Sequence, residues 1–201
     1  MGKVFFLIAA LLISFAGYSQ TEGEYFANGS TKFGIRDYIG SIADYTKAIN
    51  LEPDVARSYY GRGLAKVNLQ DYRGAITDFT KAIELEPGVP GAYYGRGKAK
   101  HGLKDYKGAA ADYSKAIELE PEYADAYYSR GLIMVNLQYN NGAIADFTKA
   151  IELEPNNAEA YFARGLVKIG LGQKESGCLD FSKAGELGYT GAYEAIKKYC
   201  L

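Results

Sequence analysis

The chain of 201 residues has no tryptophan, one histidine (His101), two cysteines (Cys178 and Cys200) and five prolines. His101 has no motif-placed Ser, Asp or Cys partner, so no His-dependent triad can be assembled around it. No Cys and His spacing fits a zinc site, and none of the glycine spacing forms a phosphate-binding loop, which needs several glycines within one turn. The expectation is a protein that is not an enzyme and holds neither metal nor cofactor. Neither sign of charge is in excess: 23 Lys and Arg stand against 24 Asp and Glu, for a net charge of -1. A nucleic acid partner, which would be drawn by a basic surface, is therefore not expected. Apolar residues at 48% and charged residues at 23% exclude disorder as the dominant state. What the chain has in quantity is tyrosine, 19 residues, and glycine, 24.

Residues Met1 to Gln20 begin with Lys3, run through the mostly apolar stretch Val4 to Ala16, and end in Gly17, Tyr18 and Ser19. That is the layout of a secretory signal peptide, assigned to residues 1–19. The apolar stretch is shorter than the roughly 20 residues that span a bilayer, which favours cleavage over a permanent anchor. Cleavage after Ser19 is expected, with Ala16 as the alternative, and no cysteine near either site invites a lipid. The mature chain is thus expected to be exported, periplasmic or secreted, with no stable membrane insertion once the signal is removed.

Pro53, Pro87, Pro121 and Pro155 recur every 34 residues. The same period carries Tyr25, Tyr59, Tyr93, Tyr127 and Tyr161; Gly29, Gly63, Gly97, Gly131 and Gly165; and the aromatics Tyr45, Phe79, Tyr113, Phe147 and Phe181. Each unit contains two apolar stretches of helical period around a polar turn such as Leu69-Gln70-Asp71-Tyr72. Each is therefore a helical hairpin, with helices A and B. Glycine within helix A costs about 1 kcal/mol relative to alanine. Close approach of Gly63 to Ala75 and of Gly97 to Ala109 is the expected compensation, with the helix B aromatic wedged against the helix A tyrosine. The prolines end helix B.

This pattern resembles the tetratricopeptide repeat, which implies an all-α solenoid of five hairpins: 22–55, 56–89, 90–123, 124–157 and an atypical 158–189, closed by a capping helix over 191–200. Arg62, Arg96, Arg130 and Arg164 recur in helix A, and Asp44, Asp78, Asp112, Asp146 and Asp180 in helix B. Because unit one has Asn28 in place of the arginine, the expectation is a ladder between units, Asp44 with Arg62, Asp78 with Arg96, Asp112 with Arg130 and Asp146 with Arg164. Cys178 and Cys200 read either as one disulfide stapling the last helix or as buried thiols; an oxidising compartment favours the bond.

In the family that the sequence resembles, helix A residues turned away from helix B line the inner wall. Here the resemblance places an aromatic in every copy, Phe26, Tyr60, Tyr94, Tyr128 and Phe162, flanked by Leu64, Lys98, His101 and Leu132, with Asn68 and Asn136 as amide donors and acceptors. Two readings stand: the stripe stacks neighbouring A helices, or it anchors an extended peptide or short helix of a protein partner. The Lys and Asn clamp with which some members hold a carboxylate falls here on Tyr60, Leu64 and Gly95, so a more apolar ligand is expected. The alternative to a binding scaffold is a structural part of an envelope assembly whose groove stays empty.

Overall fold

The computed structural model describes residues 20–201, and the signal-peptide reading of residues 1–19 lies outside the described residues. Five hairpins follow one another: α1 (Glu22–Gly34) with α2 (Tyr38–Leu51), α3 (Ala56–Asn68) with α4 (Tyr72–Leu85), α5 (Pro90–Gly102) with α6 (Tyr106–Leu119), α7 (Ala124–Asn136) with α8 (Asn140–Leu153), and α9 (Ala158–Gly170) with α10 (Lys174–Glu186). A last helix, α11 (Gly191–Tyr199), packs on α10. No strand occurs among the described residues.

The hairpin turn is made the same way in the first four units. Arg36, Gln70, Lys104 and Gln138 take left-handed backbone (φ 61° to 64°), and Gly172 does so in the fifth. In the first three units an aspartate follows, and Asp37, Asp71 and Asp105 cap helix B by accepting from the N–H of Gly40, Gly74 and Gly108. Helix B stops at a leucine two residues before each proline. The residue between, Glu52, Glu86, Glu120 or Glu154, is pushed to extended φ and ψ by the proline ring that follows it.

The helix B aromatic fills the gap between two A helices. A Cβ on Gly63 would stand 3.0 Å from the Phe79 ring, and one on Gly95 of the next unit would collide with the same ring. The glycines of helix A thus make room for a ring, a role beyond the expected approach of backbone to backbone. Such an approach is seen in unit five, where a Cβ on Gly177 would lie 3.0 Å from the Gly165 carbonyl oxygen. Phe79, Phe147 and Phe181 are wholly buried and Tyr113 nearly so, each worth about 2–3 kcal/mol of apolar burial.

The arginine ladder runs within units, not between them. Arg62 donates from Nε and Nη2 to Asp78 at 2.9 and 2.7 Å, and the pattern repeats as Arg96 with Asp112, Arg130 with Asp146 and Arg164 with Asp180. The reason is hairpin geometry. Arg62 and Asp78 are equally far from the turn residue Gln70, one before it and one after, so an antiparallel fold brings them opposite. The remaining Nη1 does cross units, donating to Thr46 at 3.0 Å, and its counterparts reach Thr80, Ser114 and Thr148. In unit one Asn28 stands at the arginine position, and there Lys32 takes Asp44 at 2.6 Å.

The two end units are tied differently. Glu22, buried at the start of α1, accepts from Arg57 and from the Ser58 hydroxyl at 2.8 Å, clasping α1 to α3. The Arg57 guanidinium, by hydrogen bonding to it, holds the Glu22 carboxyl below its usual range, against the opposing effect of burial. At the other end Cys178 in α10 is disulfide-bonded to Cys200 just beyond α11, with 5.8 Å between their Cα atoms. Ala192 and Ala195 of α11 are buried.

Arg96→Ala leaves a buried carboxylate short of its fork and destabilises by about 3 kcal/mol in urea unfolding, less any part that Lys100 recovers. A double-mutant cycle of Arg96→Ala with Asp112→Ala shows coupling above about 1 kcal/mol, and the cycle with Asp78→Ala much less; equal coupling would restore the ladder between units. Because the folded Glu22 value is depressed, the clasp stabilises fully above the ordinary carboxyl value and is lost as pH falls through the folded one. The wild type should therefore exceed Glu22→Gln in stability near pH 7, with the gap closing as pH falls through the folded value; a gap that stays constant would contradict the ionised clasp.

Candidate functional site

Successive A helices touch, as in α1 with α3, α3 with α5 and α7 with α9, whereas B helices stay farther from one another. The stack therefore curves with the A helices inside. On that inner wall the five rings of the stripe each rest on the helix B ring of their own hairpin. Centroid distances are 5.6 Å for Phe26 on Tyr45, 5.8 Å for Tyr60 on Phe79, 5.6 Å for Tyr94 on Tyr113, 5.8 Å for Tyr128 on Phe147 and 5.4 Å for Phe162 on Phe181. Each ring is thus floored within its own unit, and Tyr60 and Tyr94 also reach the next A helix, at Gly91 and Ser129. All five rings are half-buried, so one part packs and the rest faces the channel.

Burial raises the phenols of Tyr60, Tyr94 and Tyr128 above their ordinary value. Asp125 adds to the rise at Tyr94, where a hydrogen bond with Ser129 opposes it, and Glu159 adds to it at Tyr128. The stripe is neutral near pH 7, with hydroxyls able to donate and accept. It offers apolar surface with a few fixed polar atoms, the usual make-up of a recognition site.

The flanking residues are brought to the same wall with different exposures. Leu64 is half-buried against Phe79 and Ala75, and Leu132 against Phe147 and Ala143. Lys98 is exposed, its ammonium 5.7 Å from the Tyr94 ring centre. His101, on the last turn of α5, leans on Tyr106 at 6.0 Å. Asn68 and Asn136 donate to the carbonyls of Leu64 and Leu132 at 2.9 Å, closing their own helices, so one amide hydrogen of each is already used.

Reading the stripe alone misses what lies over it. The Arg57 guanidinium covers Phe26, 4.7 Å from its centre. Tyr123 covers Tyr94 at 5.0 Å, and Tyr189 covers Phe162 at 4.5 Å. The signal was the residue that ends each unit, Val55, Val89, Tyr123 and Asn157, a column that changes from unit to unit. Among the described residues no group of three or more His, Cys, Asp or Glu side chains is placed to hold a metal ion, and no helix is long and apolar enough to cross a membrane.

With this geometry in view, comparison with known proteins is informative. Family models described as TPR repeat match residues 101–138 and 136–172, and one described as tetratricopeptide repeat matches residues 56–88. No curated protein is detectably similar in sequence. Among solved structures, the crystal structure of MamA superposes with a TM-score of 0.75 at 28% identity, covering 85% of this chain and 97% of that one. YrrB, described as a TPR protein with an unusual peptide-binding site, gives 0.73 at 23% identity, over 87% of this chain and 91% of its own. PilF of Pseudomonas aeruginosa gives 0.76 at 15% identity, over 83% and 76%. The last two show likeness of fold alone. With repeat models matching more than half of its length and a stack of antiparallel hairpins built on their period, the chain belongs to the tetratricopeptide repeat family.

Proposed function

We propose that the chain is a non-enzymatic scaffold that holds a protein or peptide segment in its concave groove after export from the cytoplasm. The observation that carries this reading is the row of five half-buried rings on the inner wall, each fixed on a helix B ring, because rigid anchors lose little entropy on binding. The peptide-binding site described for YrrB, a protein of the same fold, supports it. Export rests on the layout of residues 1–19 and fits a disulfide between Cys178 and Cys200.

Replacing the stripe tyrosines by alanine would also remove the rings' packing, so the test uses groove positions that are exposed. Lys98→Glu with Leu166→Lys, in the column of Leu64 and Leu132, and Val135→Lys, in the column of His101, should together abolish capture of proteins from an envelope extract, while Thr77→Lys, Ala111→Lys and Ala145→Lys on exposed B-helix positions leave capture intact. Equal behaviour of the two triples would refute the groove and favour a structural role. For export, N-terminal sequencing of the mature protein should begin at Gln20. A chain that retains Met1 and stays in the cytosol would refute it.

A further inference from the structure

The covers over the ring stripe differ from junction to junction, and among the described residues Tyr60 and Tyr128 carry neither a second ring nor a guanidinium. In the third hairpin Tyr123 lies among Tyr94, Ala116 and Ala126. Residues 34 positions earlier are Val89, Tyr60, Ala82 and Ala92, and these line an open cavity of about 120 Å³, together with the side chains of Arg57 and Glu86. The cavity is therefore the space that the Tyr123 ring fills one hairpin later, left vacant because valine is too short to fill it. Pro90-Gly91 opens the next helix without a side chain that could reach over, and the Tyr60 hydroxyl leans toward Gly91 instead. At the last junction Tyr189 plays the covering part again, on Phe162. Among the described residues no second ring and no guanidinium covers Tyr60. An apolar cavity of about 150 Å³ is known to take up benzene, so this volume suits one aromatic ring.

Apart from Arg57, itself part of the lining, the charges around the mouth are carboxylates. Glu86 lines the cavity, Glu52 acts on Arg57, and Glu120 and Asp125 both act on Tyr123. All four are exposed, and none has an ion-pair partner among the described residues. Arg57, the cation at the site, is already bound to Glu22. The complement of such a rim is a ligand with positive charge on either side of its ring.

We infer that the cavity over Tyr60 receives the ring of a tyrosine or phenylalanine from a bound peptide whose neighbouring residues are basic, as the chain's own Tyr123 occupies the matching place over Tyr94. This rests on the groove reading above and specifies its ligand.

The probe is acetyl-Lys-Tyr-Lys-amide, with acetyl-Lys-Ala-Lys-amide and acetyl-Glu-Tyr-Glu-amide as comparisons, titrated against the full mature chain by methyl NMR. The first should shift the methyls of Ala82, Val89 and Ala92 saturably, with affinity at least about tenfold above either comparison at low salt. Val89→Tyr should abolish the shift at Ala82 and Ala92 with helicity unchanged, whereas Val89→Ala should keep it. No saturable shift at these methyls, no preference for tyrosine over alanine, or a shift that survives Val89→Tyr would overturn the assignment. The comparison of peptides on the wild type holds even if Val89→Tyr folds poorly. Partner capture separates the two readings. Capture lost in the groove triple but kept by Val89→Tyr overturns the cavity assignment and leaves the groove standing; capture kept by both overturns both.

Discussion

A single aromatic ring per hairpin, caught between two glycine-faced helices, sets the spacing on which the rest of the stack depends. Phe79 touches Gly63 of its own unit and Gly95 of the next, and Tyr45 sits likewise between Gly29 and Gly61. Because any Cβ at these places would meet a ring, helix A keeps glycine where propensity alone would choose alanine. Farther along, the second of the two positions becomes Ser129 and Ala163, still small. The same ring is the floor on which the stripe residue rests. Spacing of the stack and rigidity of the groove thus have one cause.

The charged layer answers a different need. Each of the last four hairpins buries an aspartate and surrounds it with a bidentate arginine fork, joined by Lys66, Lys100 or Lys168 in three of the four. Unit four has Met134 at the lysine position and keeps the fork alone. A fork of two parallel bonds fits one register of helix A on helix B, and a hairpin shifted by a turn leaves the aspartate buried and unpaired. The third N–H, given to a hydroxyl of the preceding unit, extends that register to the neighbour.

The architecture was legible because it is periodic: Pro53 to Pro155 fix the unit, and the polar turns divide each into two helices. The fold of a repeat follows from its period even when single contacts do not. The arginine partner was misread because the inference ran from Asn28 and the end of the array, when distance from the turn residue decides it. Asn28 stands where the later units carry that arginine, and there Lys32 takes the aspartate. The groove was legible as a stripe of rings. Its uneven cover was not, since only the column holding Val89 and Tyr123 separates an occupied junction from an open one.

An array of hairpins that each contact only their neighbours melts from its ends, where one interface is missing. Here the two ends are secured by different chemistry: an ion pair at Glu22 and a covalent bond at Cys200. Acid loosens the first hairpin without touching the last, and a reductant frees the last helix without touching the first. The molecule therefore has a direction along its axis that its near-identical units do not, and fraying from either end can be provoked separately.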